Sequence, residues 1–303
     1  MPFNPAVFRK RALTAMVFVA VMLTGLLWNG WSFLLLFTVI HFGCWYEYNR
    51  LMEIIHPEYL RVPSLARILV MFAGWMMMIM AAGELLPVLK DVIGVRTSAL
   101  ACFVLLASAL AVISQAGSLR KSVISIMAIG LAYISLSWAL LVHLRSGAIW
   151  TSRVSDADGI AGAMDRIGHT AGYAMPLVII ATIWLNDTMA YLVGSFIGKT
   201  PLSSISPKKT REGTVGGVLI SVAIVTIGSS LWIGARPLPI AAVASVTAVS
   251  GTFGDLLESK LKRMAGVKDS GNFMPGHGGF LDRFDSLLLA TPFAWIFCTL
   301  FLR

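Results

Sequence analysis

Between Ser259 and Asp285 the chain reads SKLKRMAGVKDSGNFMPGHGGFLDRFD, with Lys260, Lys262, Arg263, Lys268, Arg283, Asp269, Asp282, Asp285 and His277 in close succession. Ammonium and guanidinium groups bind phosphates, and carboxylates bind the divalent metal that accompanies them. Glycines such as Gly276, Gly278 and Gly279 let a backbone approach a ligand closely. Glycines ahead of an apolar helix also leave N–H groups at its positive end, a natural anion site. Asp282 and Asp285 lie three apart on one face of that helix, suited to holding Mg²⁺ against a polyphosphate, although capping by Asp would explain one of them. His277 has no zinc-type partner and is read as a phosphate contact or a loop-ordering residue.

Two further groups belong with this stretch. Gly251, Asp255, Ser259 and Lys262 fall at helical spacing on one face, and Asp255 sits beside Leu256 and Leu257 inside an apolar run. Ionisable residues within a membrane segment are costly and are functional candidates by default. Asp187, Tyr191, Gly194 and Gly198 form another stripe, with Asp187 ~18 Å along a helix from Lys199. For Asp187 a structural pairing with Lys or Arg and a functional role both stay open. The loop after it, with Ser206, Pro207, Lys208, Lys209 and Thr210, has phosphate-loop chemistry without P-loop order; alone it would read as a basic membrane anchor.

These residues must be positioned by membrane helices. The 303 residues are 57% hydrophobic and 13% charged, against about 25% charged in soluble domains, which points to an integral membrane protein. Apolar runs near Ala12–Trp28, Trp31–Tyr46, Leu65–Leu86, Ser98–Ser114, Ser122–Leu144, Ala174–Phe196, Thr214–Gly234, Leu238–Leu257 and Phe280–Phe301 predict an all-α polytopic protein of about nine spans. The division is residues 1–173, about five spans with an extracytoplasmic loop near 145–173, and residues 174–303, a catalytic region with motif loops at 198–217 and 258–285. The first run follows Arg9-Lys10-Arg11 with no small-residue cleavage site, so it reads as a retained span. Cys44, Cys102 and Cys298 lie in separate apolar segments and read as inert packing residues.

With the N-terminus cytoplasmic, 17 of the 24 Lys and Arg fall on the cytoplasmic side, including both motif loops. The net charge of +9 suits contact with anionic lipid, while basic residues that rim spans exclude a nucleic-acid binder.

Together the motifs resemble the phosphatidate cytidylyltransferase (CDP-diacylglycerol synthase) family. The likeness rests on Ser259, Lys262-Arg263, Lys268-Asp269, Pro275, His277-Gly278-Gly279, Asp282-Arg283 and Asp285, in family order over 27 residues. Asp187, Ala190-Tyr191 and Gly194, the Ser206–Gly213 element and Gly254-Asp255 support it, from about Trp184 to Ser286. Met274 and Arg211 are mild departures at uncharged signature positions. The resemblance implies transfer from CTP to phosphatidic acid, giving CDP-diacylglycerol and pyrophosphate. It implies Mg²⁺, a further monovalent cation such as K⁺, a homodimer and, with the compact chain, a bacterial inner membrane.

A phosphate monoester has a second pKa near 6, so the lipid nucleophile needs no general base. The expected catalytic residues are Asp255, Asp282, Lys262, Arg263 and Asp285, with metal on Asp255 and Asp282 first and Asp285 and Asp187 next. Expected substrate contacts are Lys268, Asp269, His277, Gly278, Gly279, Arg283, Lys208, Lys209, Ser259 and Tyr191. A CTP-dependent enzyme acting on another lipid phosphate or an isoprenoid alcohol is the alternative. A transporter using Asp187 for a coupling ion fits poorly, because the polar residues crowd into the last 120 positions instead of two repeat-related halves.

Overall fold

The computed structural model describes residues 5–92, 94–118, 120–147, 161–273 and 278–302. Backbone polar groups in lipid must be satisfied within a segment, so the long apolar runs become helices. These are α1 (Pro5–Leu27), α2 (Gly30–Ile55), α3 (Ser64–Ala82), the short α4 (Pro87–Val92), α5 (Gly94–Gln115), α6 (Lys121–Gly130), α7 (Leu136–Ser146), α8 (Ala161–Ile197), α9 (Arg211–Ile233), α10 (Pro237–Met264) and α11 (Leu281–Phe297). One wider turn at Leu131–Ser135 joins α6 to α7 without breaking the rod.

Among the described residues seven helical stretches are long and apolar enough to span a bilayer: Ser64–Ala82, Arg96–Gln115, Lys121–Ser146, Gly172–Ile197, Arg211–Trp232, Pro237–Met264 and Leu281–Phe301. The remaining two of the nine expected runs are also helical. Thr14–Leu27 of α1 is a shorter apolar helix, and α2 carries His41, Glu47 and Asn49 as buried polar residues. The expected loop Arg145–Tyr173 is shorter than foreseen, because α8 starts at Ala161. Its first turns are too polar for a hydropathy window, yet Ala, Met and Arg there are good helix formers. Residues 148–160 of that loop lie outside the described residues.

The helices differ in depth. The apolar stretches of α5 and α9 are only 17% buried against 50% for those of α10 and α11, so the last two helices are central and α5 and α9 peripheral. The core runs between α2, α7 and α11, where Trp138 sits 5.1 Å from Phe37 and 5.6 Å from Phe284, ring centre to ring centre. The first half of the chain is thus packed directly onto the helix that carries Asp282 and Asp285. Pro292 interrupts α11 and cannot bond the Leu288 carbonyl; that carbonyl accepts the Ser137 hydroxyl of α7 at 2.6 Å.

Candidate active site

The α8–α9 crossing is built from small residues. A Cβ on Gly217 would lie 2.8 Å from Ala190 Cβ, and one on Gly213 would lie 2.6 Å from the Ala190 carbonyl. Such close backbone approach is how helices associate in lipid, and it brings the loop between α8 and α9 against the α8 end. The loop is closed on itself. Glu212 accepts the N–H groups of Lys199 and Thr200, both at 3.1 Å, and Thr210 caps α9 by accepting from Gly213 N–H at 3.1 Å. Leu202 N–H donates to the Lys209 carbonyl at 2.7 Å, and Arg211 N–H to that of Thr200 at 2.9 Å. Thus pinned, the Ser-Pro-Lys-Lys turn swings Lys209 toward α10, where its Nζ stands 2.7 Å from Asp255 Oδ2. Burial works against the Lys209 charge, but the Asp255 and Asp187 carboxylates outweigh it and hold the ammonium above its ordinary range.

The α10–α11 crossing is also glycine-dependent. A Cβ on Gly254 would lie 2.6 Å from the Asp285 carbonyl oxygen, so the neighbouring Asp255 and Asp285 belong to one tight contact. Between α8, the basic turn, α10 and α11 opens a cavity of about 650 Å³. Asp187, Asp255, Asp282, Asp285, Lys208, Lys209, Arg283 and Tyr191 line it. An apolar wall of Phe18, Ile183, Trp184 and Ala190 completes it. Phe18 of α1 is 6.3 Å from Trp184 and 6.1 Å from Phe284, ring centre to ring centre. One chamber therefore offers carboxylates, cations and a greasy side.

Behind the chamber lies a second polar knot. Lys262 Nζ is 2.5 Å from Glu258 Oε2 and 2.6 Å from Asp282 Oδ1, and Glu258 is fully buried. Asp282 Oδ2 accepts the N–H groups of Gly279 at 2.7 Å and Ser270 at 2.8 Å, with the Ser270 hydroxyl at 2.9 Å. Gly278 turns the chain at φ +84°, in the left-handed region, with Asp282 pressed against it. Glu47 of α2 accepts the N–H groups of Phe280 at 2.9 Å and Leu281 at 2.8 Å and the Ser270 hydroxyl at 2.6 Å. The N–H groups that the glycine turn exposes at the start of α11 are therefore taken by internal carboxylates.

The expected residues thus divide. Asp187, Tyr191, Lys208, Lys209, Asp255, Asp282, Arg283 and Asp285 meet at the cavity. Lys262, Gly278 and Gly279 belong to the knot beside it. Arg263, Lys268 and Asp269 are exposed and Ser259 half-buried, and none of these four lines the cavity. His277 lies outside the described residues. Members outside the expected site residues are Glu47, Glu258, Ser270, Phe18 and Trp184, while Glu212 belongs to the Ser206–Gly213 element. Glu47 carried a usable signal, an ionisable residue two positions beyond Trp45 in an apolar run.

Among the described residues no three His, Cys, Asp or Glu side chains converge closely enough to enclose a metal. Mg²⁺ rarely needs such a cage; it keeps several waters and takes one or two carboxylates plus substrate phosphates. Asp187, Asp255 and Asp285 on the cavity wall are hard oxygen donors of that kind. Asp282 is differently placed, since Lys262, Ser270 and Gly279 already engage both its oxygens.

The profile of the Cytidylyltransferase family matches residues 9–301. The chain is similar to phosphatidate cytidylyltransferase of Bacillus subtilis (strain 168), 46% identical over 123 residues, covering 39% of this chain and 45% of that protein. It is similar to the chloroplastic phosphatidate cytidylyltransferase 4 of Arabidopsis thaliana, 37% identical over 193 residues, 62% of this chain and 49% of that protein. The chain spans about half the length of those two relatives. Against phosphatidate cytidylyltransferase of Synechocystis sp., identity is 29% over 310 residues, covering 97% of each chain.

Proposed function

The chain belongs to the Cytidylyltransferase family, and from that membership we propose that it is a phosphatidate cytidylyltransferase. It transfers the cytidylyl group of CTP to phosphatidic acid, giving CDP-diacylglycerol and pyrophosphate. The observation that carries the reading is the single chamber in which Asp187, Asp255 and Asp285 face Lys208, Lys209 and Arg283 beside the apolar wall of Phe18, Ile183 and Trp184. A polyanionic nucleotide and the head of an acylated phosphate need those two kinds of surface next to each other.

A lipid phosphate oxygen forms the new bond to the α-phosphorus, and the bond from that phosphorus to the bridging oxygen breaks. Pyrophosphate leaves with the electron pair. The lipid phosphate is largely dianionic at neutral pH, so no side chain has to remove a proton. Catalysis is then positioning and charge stabilisation. Asp255, Asp285 and Asp187 would hold Mg²⁺, which neutralises charge on the α-phosphate and the leaving group. Lys209, kept charged beside Asp255, and Lys208 bring an anion to the carboxylates instead of letting it be repelled. Arg283 offers a planar fork for phosphate oxygens. Asp282, with Lys262 and Ser270 bound, holds the loop into α11 in shape. By the balance of basic residues the chamber opens to the cytoplasm; a homodimer in a bacterial inner membrane is what the family resemblance adds.

The test uses the purified protein with phosphatidic acid and each of the four nucleoside triphosphates, with and without Mg²⁺, following pyrophosphate and lipid product together. CTP- and Mg²⁺-dependent CDP-diacylglycerol is expected. Product formed only from another lipid phosphate or an isoprenoid alcohol, or none with CTP, rejects the assignment.

A further inference from the structure

We infer that Glu47 of α2 is a positioning residue for nucleotidyl transfer, holding the start of α11 in the register that presents Arg283 and Asp285 to the chamber. The inference rests on the transferase reading above and adds to it a residue from the first half of the chain.

Glu47 is 3% exposed and does not line the chamber. Three donors meet its carboxylate: Phe280 N–H at 2.9 Å, Leu281 N–H at 2.8 Å and the Ser270 hydroxyl at 2.6 Å. Among the described residues no Lys or Arg pairs with it. Its carboxyl oxygens meet peptide dipoles at the beginning of α11, the end of a helix that favours an anion. The backbone closes around it, since a Cβ on either Gly271 or Gly279 would run into the carboxylate. Its neighbour Gly43 packs in the same way under the Phe280 ring.

This geometry requires a carboxylate specifically. All three groups hydrogen-bonded to Glu47 are donors, so an amide in its place turns an NH₂ group toward N–H or O–H groups, and an alkyl group leaves buried donors unpaired. Ser270 extends the effect, because its hydroxyl also lies 2.9 Å from Asp282 Oδ2. Its one proton is shared between the carboxylates of Glu47 and Asp282, and Asp282 in turn holds Lys262 at 2.6 Å. A change at Glu47 is therefore felt along α11, two and four residues from its bonded amide at Leu281, where Arg283 and Asp285 face the chamber.

The experiment measures steady-state kinetics and amide hydrogen exchange on Glu47→Gln in detergent or nanodiscs. A misplaced loop should lower kcat by about tenfold to a hundredfold. The KM for phosphatidic acid should move less than kcat does, since the apolar wall of Phe18, Ile183 and Trp184 is untouched. Exchange at Gly279–Asp282 should rise by about tenfold while the interiors of α9 and α10 keep their protection. Unchanged kcat with faster local exchange, or faster exchange in every helix, overturns the inference; the latter would mean a purely architectural role. Should Glu47→Gln fail to accumulate, Ser270→Ala keeps the backbone donor and removes only the shared hydroxyl. It should lower kcat in the same pattern, and unchanged kcat there overturns the inference too. Absence of CTP-dependent product from the unaltered protein would instead reject the transferase reading itself.

Discussion

Replacing Lys262 by Met tests the polar knot behind the chamber. One ammonium serves two carboxylates, Glu258 at 2.5 Å and Asp282 at 2.6 Å, with side-chain exposures of 14%, 0% and 7% for Lys262, Glu258 and Asp282. Methionine keeps much of the stem's volume, so the loss is electrostatic and a cavity is not created. Removing one partner of a buried ion pair costs about 3–5 kcal/mol, because the remaining charge is left uncompensated. Here two carboxylates are left. Asp282 retains its N–H donors from Gly279 and Ser270, so most of the cost falls on Glu258, whose Oε1 has no hydrogen-bond partner among the described residues. At roughly 2–4 °C per kcal/mol for a chain of this size, the midpoint of thermal aggregation should drop by about 6–20 °C. Adding Glu258→Gln removes the stranded charge and should recover at least about half of that loss. The assay is a thermal ramp in detergent read by monodisperse elution, with CTP turnover measured on the surviving fraction. A Lys262→Met protein as stable as the parent, or one that Glu258→Gln does not rescue, would refute the buried-knot account.

Asp255→Asn should leave the protein folded and membrane-inserted but abolish turnover, as CDP-lipid formation in detergent will show; undiminished product rejects the metal-ligand role. At the α8–α9 crossing, Gly217→Leu forces atoms into Ala190 and should cost about 1–3 kcal/mol or more, whereas Gly228→Ala, with open space around it, should be nearly neutral in the same thermal ramp. Glu212→Ala frees the N–H groups of Lys199 and Thr200 and should cost about 1 kcal/mol while making the 198–210 loop more sensitive to limited proteolysis.

Much of the chamber was legible because its groups recur at helical spacing inside apolar runs. Asp187, Asp255 and Asp285 each broke a hydropathy pattern, and lipid makes such breaks expensive. The basic loop lies with the second cluster, since Lys208 and Lys209 line the same chamber as Asp255 and Asp285. What the spacing did not carry was which donors were already engaged. The glycine turn before α11 has the look of a ligand cradle, yet Asp282 and Glu47 occupy its amides, and Glu47 lies more than 220 residues from Ser270. A contact of that separation follows from how α2 and α11 pack, which no local pattern contains. Arg263, Lys268 and Asp269 belong to the expected site through the motif they share with the family, yet they are exposed and do not line the chamber. The start of α8 at Ala161 is carried by helix propensity and not by an apolar run, so hydropathy does not reveal it.

The hydroxyl that Ser137 lends to Leu288 also bears on how the chain enters its membrane. Because Pro292 has no N–H to offer that carbonyl, α11 alone in lipid would carry an unpaired acceptor, at a cost of several kcal/mol. The last helix therefore cannot be an independently inserted unit that docks afterwards without loss. Its partner on α7 is synthesised about 150 residues earlier and is waiting when α11 arrives. Translation order supplies the missing donor, and a version with the final helix moved to the front of the chain would have to insert it unaided.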